Sequence, residues 1–152
     1  MSYIFINMLK AKQAASYSNC TKRKIGCIVE VDEVFYGFNT VEQLCPDCSR
    51  ETCGAVHAEV SAVSQLLRNR KDRQATELFL WAEPPCLQCL NYIKRYSLIR
   101  KIYCLSPESY RIEYPLIERR TSEITQRRKY ADLIGVKITE LDMEEILSYE
   151  LP

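Results

Sequence analysis

Several features that usually steer a functional assignment are scarce in this 152-residue chain. Histidine occurs once, as His57. Neither sign of charge dominates: 21 basic and 20 acidic side chains leave a formal net charge of +1, so no global pull toward nucleic acid or an anionic surface follows. No apolar run approaches the ~18 residues of a membrane-crossing helix. The N-terminus lacks a charged segment followed by a clean apolar stretch, so no signal peptide is expected. Repeats and low-complexity tracts are absent as well. What remains is 47% hydrophobic and 27% charged, the balance of a globular rather than a disordered chain. Its length suits one domain, 1–152, with a sizeable core.

Cysteine, by contrast, is abundant, with eight in the chain. With no export signal the expected compartment is the cytoplasm, where thiols are reduced or metal-bound rather than paired. Two pairs, Cys45/Cys48 and Cys86/Cys89, have C-x-x-C spacing, which signals metal or redox chemistry.

Hydrophobic periodicity predicts a helix over 3–18, a hairpin of strands 24–31 and 33–38 turning at Asp32, and a long loop over 39–54. A second helix is expected over 55–70 and a strand over 76–82, stopped by Pro84 and Pro85. There follow a helix over 86–98, a strand over 99–105, a loop, a basic amphipathic helix over 118–134, a strand over 136–141 and a short final helix. Strands alternating with helices predict an α/β sandwich around one sheet.

A hydrolytic zinc site needs three protein ligands and one open position for water. His57 offers a nitrogen; Cys86 and Cys89 offer thiolates one helical turn apart, at a helix start that favours the ionised form. Two thiolates balance the charge of Zn²⁺. Glu59, two residues beyond His57, lies off the ligand direction and suits a proton shuttle between water and the leaving ammonia. H-x-E followed by P-C-x-x-C is the signature of zinc nucleobase deaminases. Alone, a histidine at a helix start is usually a surface residue, and a lone C-x-x-C is a redox pair or half of a zinc ribbon. In this order and setting they point to deamination.

The segments HAEVSAV and PPCLQC resemble the cytidine/deoxycytidylate deaminase superfamily. So do SNCTKRKIGCIV, YGFNT, CGAVHAE and RRKYADLIGVKITEL, which are most similar to the deoxycytidylate (dCMP) deaminase pattern over about residues 3–142. The resemblance implies a three-layer α/β/α fold with a mixed five-stranded sheet, hydroxide attack at C4 of cytosine, one catalytic Zn²⁺ and a homo-oligomer. It assigns Asn39 to a sugar hydroxyl, Ala55 and Glu59 to the pyrimidine edge, and Pro84 to a pocket wall. Lys22, Arg23 and Lys24 are candidates for a substrate phosphate, or else a solvated charge run. Arg68 matches a position associated with a nucleotide effector, or is a basic residue favoured at a helix C-terminus.

Three positions depart from the family pattern: Ser61 replaces an asparagine, Thr40 a glycine, and Pro107 a tyrosine for which Tyr110 is the nearest substitute. A 5-substituted dCMP or dCTP therefore stays open beside dCMP as substrate. By the same resemblance Cys20, Cys45, Cys48 and Cys53 suit a second, structural zinc; the other reading is four reduced, partly buried thiols. Cys27 and Cys104 are expected in the core. Arg119, Arg120, Arg127, Arg128 and Lys129 are expected on a solvated helix face. Two rivals are a polynucleotide deaminase acting on tRNA or single-stranded DNA, which needs basic and stacking side chains along a channel, and a non-catalytic zinc module. Glu59 opposes the second, since a structural site needs no general base.

Overall fold

The computed structural model describes residues 2–20, 23–40, 56–113 and 121–150. Strand β1 (Gly26–Glu30) pairs antiparallel with β2 (Val34–Phe38), Gly26 facing Phe38 and Glu30 facing Val34, as the β-branched and aromatic runs predict. Asp32 and Glu33 at the turn both pair with Lys71. Strands β3 (Glu77–Trp81), β4 (Lys101–Leu105) and β5 (Lys137–Leu141) complete one sheet in the order β2-β1-β3-β4-β5. β1 and β3 are antiparallel; β3, β4 and β5 are mutually parallel. This is the mixed five-stranded sheet that the sequence implies.

Helices cover both faces. α1 (Ser2–Ala15) packs on β1 and β3, with α6 (Met143–Glu150) beside it and α4 (Pro107–Glu113) against α6. α2 (Ala58–Arg68), α3 (Leu87–Tyr96) and α5 (Thr121–Leu133) pack on the opposite side, α2 on the β1–β2 hairpin and α5 on β5. Leu78, Phe79, Leu80 and Trp81 of β3 are all buried, because a central strand covered on both faces has no solvent side. Cys27 and Cys104 lie in this core, and burial pushes both thiols well above their ordinary values. No helix among the described residues is long and apolar enough to cross a membrane.

Two expectations change. Residues after β4 form α4 where the sequence suggests a loop; Ser106 caps it by accepting from the Ser109 amide at 3.3 Å, and Pro107 opens the first turn. Seven residues are too few for a clear apolar period. α5 is not the amphipathic helix expected: its polar and apolar residues are spread nearly evenly around it, and Arg127 shares the inward side with Ile124 and Ala131, so it is not part of a wholly solvated basic face; Arg119 and Arg120 lie outside the described residues.

Two glycines bring the helices down onto the hairpin. A Cβ on Gly26 would fall 1.9 Å from the Ala11 carbonyl oxygen of α1, and one on Gly37 would fall 2.1 Å from the Ala58 carbonyl oxygen of α2. Alanines at 11, 14, 15, 58 and 62 make the approach possible. The Gly37 contact sets the height of the first turn of α2 above the sheet. Backbone is what the added methyl would meet, and it cannot rotate away, so Gly37→Ala and Gly26→Ala should each lose about 3 kcal/mol or more, at or above the usual overpacking range. Urea unfolding of each variant checks this; a midpoint equal to wild type would show that the close approach is not required.

Candidate active site

His57 and Cys86 occupy the N-cap positions of α2 and α3, each with extended backbone, φ −76° and ψ 146° for His57, φ −68° and ψ 166° for Cys86. Neither side chain caps its own helix. Instead they face each other, and Cys89, one turn into α3, completes the cluster. His57 Nδ1 lies 3.1 Å from Cys89 Sγ and 3.6 Å from Cys86 Sγ, and the three donor atoms all fall within 4.8 Å of one another. Zinc with a nitrogen and a sulfur ligand at tetrahedral angles separates those atoms by about 3.6 Å. The donor set and spacing therefore fit Zn²⁺.

Crowding three soft donors together couples their protons. The Cys86 thiol is brought down to about 3, chiefly because Cys89 donates to its thiolate and His57 also does. Cys89 moves the opposite way, because its proton is held by that thiolate and because it is buried near Glu59. The Cys86 thiolate likewise raises His57. The pair gives up one proton readily and holds the second. A divalent cation satisfies the same lone pairs without protons, and metal binding replaces them.

Glu59 sits in the first turn of α2 and is only 5% exposed. Burial raises its carboxyl, and the Cys86 thiolate raises it further. A carboxyl that holds a proton more readily than an ordinary glutamate is matched to proton transfer near neutral pH.

His57, Glu59 and Cys86 border a cavity of about 270 Å³, closed on one side by Pro84 and Pro85 and flanked by Arg23 and Arg127. Arg127 donates to the Pro84 carbonyl at 2.8 Å, tying α5 to the loop before α3. Among the residues expected at the site, Pro84 and Arg23 thus join the cluster. Asn39 does not border the cavity: it is buried, its Oδ1 accepts from the Ile25 amide at 2.8 Å, and its Nδ2 donates to the Arg23 carbonyl at 3.0 Å. Lys24 turns outward, its ammonium donating to the Ser18 carbonyl. Tyr110 is fully buried in the core, not in the cavity, because α4 carries it inward. Arg68 is exposed in the last turn of α2, away from the cavity lining. Cys20 is buried and is in no disulfide among the described residues. Lys22, Cys45, Cys48, Cys53 and Ala55 lie outside the described residues.

Sequence reasoning missed two charged cavity residues, Arg127 and Glu83. Arg127 was legible from its helical spacing to Ile124 and Ala131. Glu83 was signalled only by being a charged residue wedged between a buried strand and two prolines.

The model of the cytidine and deoxycytidylate deaminase zinc-binding region matches residues 4–106. A deoxycytidylate deaminase of Saccharomyces cerevisiae is 32% identical over 123 residues, covering 70% of this chain and 38% of the relative; the chain thus spans well under half the length of that protein. In structure the fold is similar to a dCMP deaminase of cyanophage S-TIM5 in apo form, with TM-score 0.67, 19% identity, and coverage of 92% of this chain and 98% of that one. The same phage enzyme in complex with dCMP and dUMP gives TM-score 0.62 at 21% identity, covering 88% and 93%. At these identities the structural likeness speaks for the fold, while the match across two thirds of the sequence speaks for descent. The chain belongs to the zinc-binding cytidine and deoxycytidylate deaminase family.

Proposed function

We propose that this chain, as a single deaminase domain over 1–152, converts a deoxycytidine nucleotide to its uridine counterpart by zinc-dependent hydrolysis, with release of ammonia. The observation that carries this is the His57–Cys86–Cys89 triangle with a buried carboxyl, Glu59, in the same cavity wall. The substrate class rests on the deoxycytidylate deaminase relative, with dCMP, a 5-substituted dCMP and dCTP as the candidates.

His57, Cys86 and Cys89 would hold the zinc. When bound, zinc supplies Lewis-acid activation of water at neutral pH. Glu59 takes a proton from the attacking water at its carboxylate oxygen, gives it to the ring nitrogen beside C4, and then serves the departing amine. Cytosine and water thus become uracil and ammonia with no net change at Glu59. Its burial keeps bulk water from competing for that proton. Pro84 and Pro85, fixed by Arg127, give a stiff wall against which a planar base can lie.

A mononucleotide is favoured over a polynucleotide by the near-neutral charge of the chain, and two of the three described basic residues of α5 are already engaged, with Lys129 exposed. Arg127 is used on Pro84, and Arg128 forms a two-pronged pair with Glu140, at 2.6 and 2.7 Å. Neither guanidinium is left over for a phosphate backbone without breaking a contact of the fold.

Replacing Glu59 by Gln should keep fold and zinc while turnover falls about 10²–10⁴-fold, as loss of a general acid–base group does. Cys86→Ser should instead lower zinc content measured by plasma mass spectrometry. Near-wild-type turnover in the first variant, or full zinc in the second, would contradict the assignment. Ammonia release across cytosine, deoxycytidine, dCMP, dCTP, 5-methyl-dCMP and single-stranded DNA should be highest for a mononucleotide. Faster release from DNA than from every mononucleotide would replace this function with the polynucleotide one.

A further inference from the structure

We propose that Glu83 is a specificity-determining residue that, together with Arg23, selects substrates carrying a hydroxyl group at this end of the cavity. The inference rests on the cavity being the substrate pocket of a deaminase.

Glu83 follows β3 directly, is 3% exposed, and borders the cavity that holds His57 and Glu59. Both of its carboxylate oxygens are buried, and neither has a hydrogen-bond partner among the described residues. A buried carboxylate without a donor is strongly unfavourable, and folds tolerate one mainly where something else supplies the donor. The nearest cation is Arg23, whose Nη1 lies 3.8 Å from Glu83 Oε1. That is too long for a hydrogen bond, and far from the paired contacts at 2.7–2.9 Å that arginine and carboxylate make when they serve only each other.

Arg23 is also held from below. Asn39 grips the backbone immediately after it, across Lys24, through the Arg23 carbonyl and the Ile25 amide. Asn39 is therefore a positioning residue for Arg23. The result is a donor on an anchored stretch of backbone and a buried acceptor standing slightly apart at one cavity wall.

A hydroxyl satisfies both at once: its O–H donates to Glu83 and its oxygen accepts from Arg23. An amine offers no comparable acceptor to the guanidinium. A carbonyl offers nothing to the carboxylate and would meet it lone pair to lone pair. On a cytosine nucleotide the hydroxyl has two sources, the sugar and a hydroxymethyl substituent on the ring, and matched substrate pairs separate them.

The experiment compares wild type, Glu83→Gln and Glu83→Ala. It measures kcat/KM for dCMP against 2′,3′-dideoxycytidine monophosphate, CMP against dCMP, and 5-hydroxymethyl-dCMP against 5-methyl-dCMP. Wild type should prefer the hydroxyl-bearing member of at least one pair by about 10- to 100-fold, and that ratio should fall to within about threefold in both variants. Urea unfolding checks that Glu83→Gln, which keeps the side-chain shape but gives up the ion pair with Arg23, is folded under the assay conditions. Calorimetric binding of dUMP against 2′,3′-dideoxyuridine monophosphate, and UMP against dUMP, reads the same preference without turnover. Ratios that persist in the variants, or wild-type binding that ignores the hydroxyl, would overturn the inference. Wild type that discriminates in binding yet deaminates none of the nucleotides would instead overturn the proposed function and leave this pair standing.

Discussion

Three soft donors from the starts of two helices have to meet at one point, and the rest of the molecule is arranged around that meeting. His57 and Cys86 give up the capping role their positions would allow and turn toward each other. The positive ends of two helix dipoles then face the same spot, which by itself repels a cation. Two thiolates would reverse the sign of that field; of the two thiols, Cys86 is lowered chiefly because Cys89 donates to it, while Cys89 keeps its proton until a cation replaces it. Small errors in helix height would open the triangle. That is why Gly37 matters: it lets α2 rest on the hairpin by backbone contact, with no side chain whose rotamers could vary the distance.

The same cavity wall carries two buried carboxyls with different surroundings. Glu59 lies beside the sulfurs and is raised by burial and by the charge of the Cys86 thiolate, as proton transfer requires. Glu83 lies toward Arg23, outside the ligand cluster, and has no proton donor among the described residues. Arg127 joins these parts by anchoring the Pro84 carbonyl to α5, so the wall of the pocket depends on a helix far along the chain. That helix lies outside the stretch matched by the family model, residues 4–106.

Much of this was legible in the sequence because it is local. Period-2 runs gave the hairpin, double proline ended β3, and one helical turn between Cys86 and Cys89 put both sulfurs on one side. H-x-E with P-C-x-x-C carried the chemistry and the family resemblance. What escaped is set by tertiary packing. Asn39 looks like a ligand-facing turn residue; in the fold its amide accepts from the Ile25 amide and donates to the Arg23 carbonyl, so its link to the cavity runs through Arg23. Tyr110 was placed by proximity in sequence to β4, whereas the capped helix α4 rotates it into the core. Arg127 was read by its charge, when its position on the helix decides its place. Glu83 shows no periodic or motif signal beyond a charge set between a buried strand and two prolines; what marks it is a buried carboxylate without a hydrogen bond among the described residues.

The central claim is that one nitrogen and two sulfurs of this chain hold the zinc. X-ray absorption at the zinc edge tests it most directly, on protein with Cys45 and Cys48 changed to serine so that those sulfurs do not contribute. The account predicts two sulfur ligands at about 2.3 Å and one histidine nitrogen at about 2.0–2.1 Å, with a light fourth ligand. A four-sulfur shell, or one with no imidazole scattering, would contradict it.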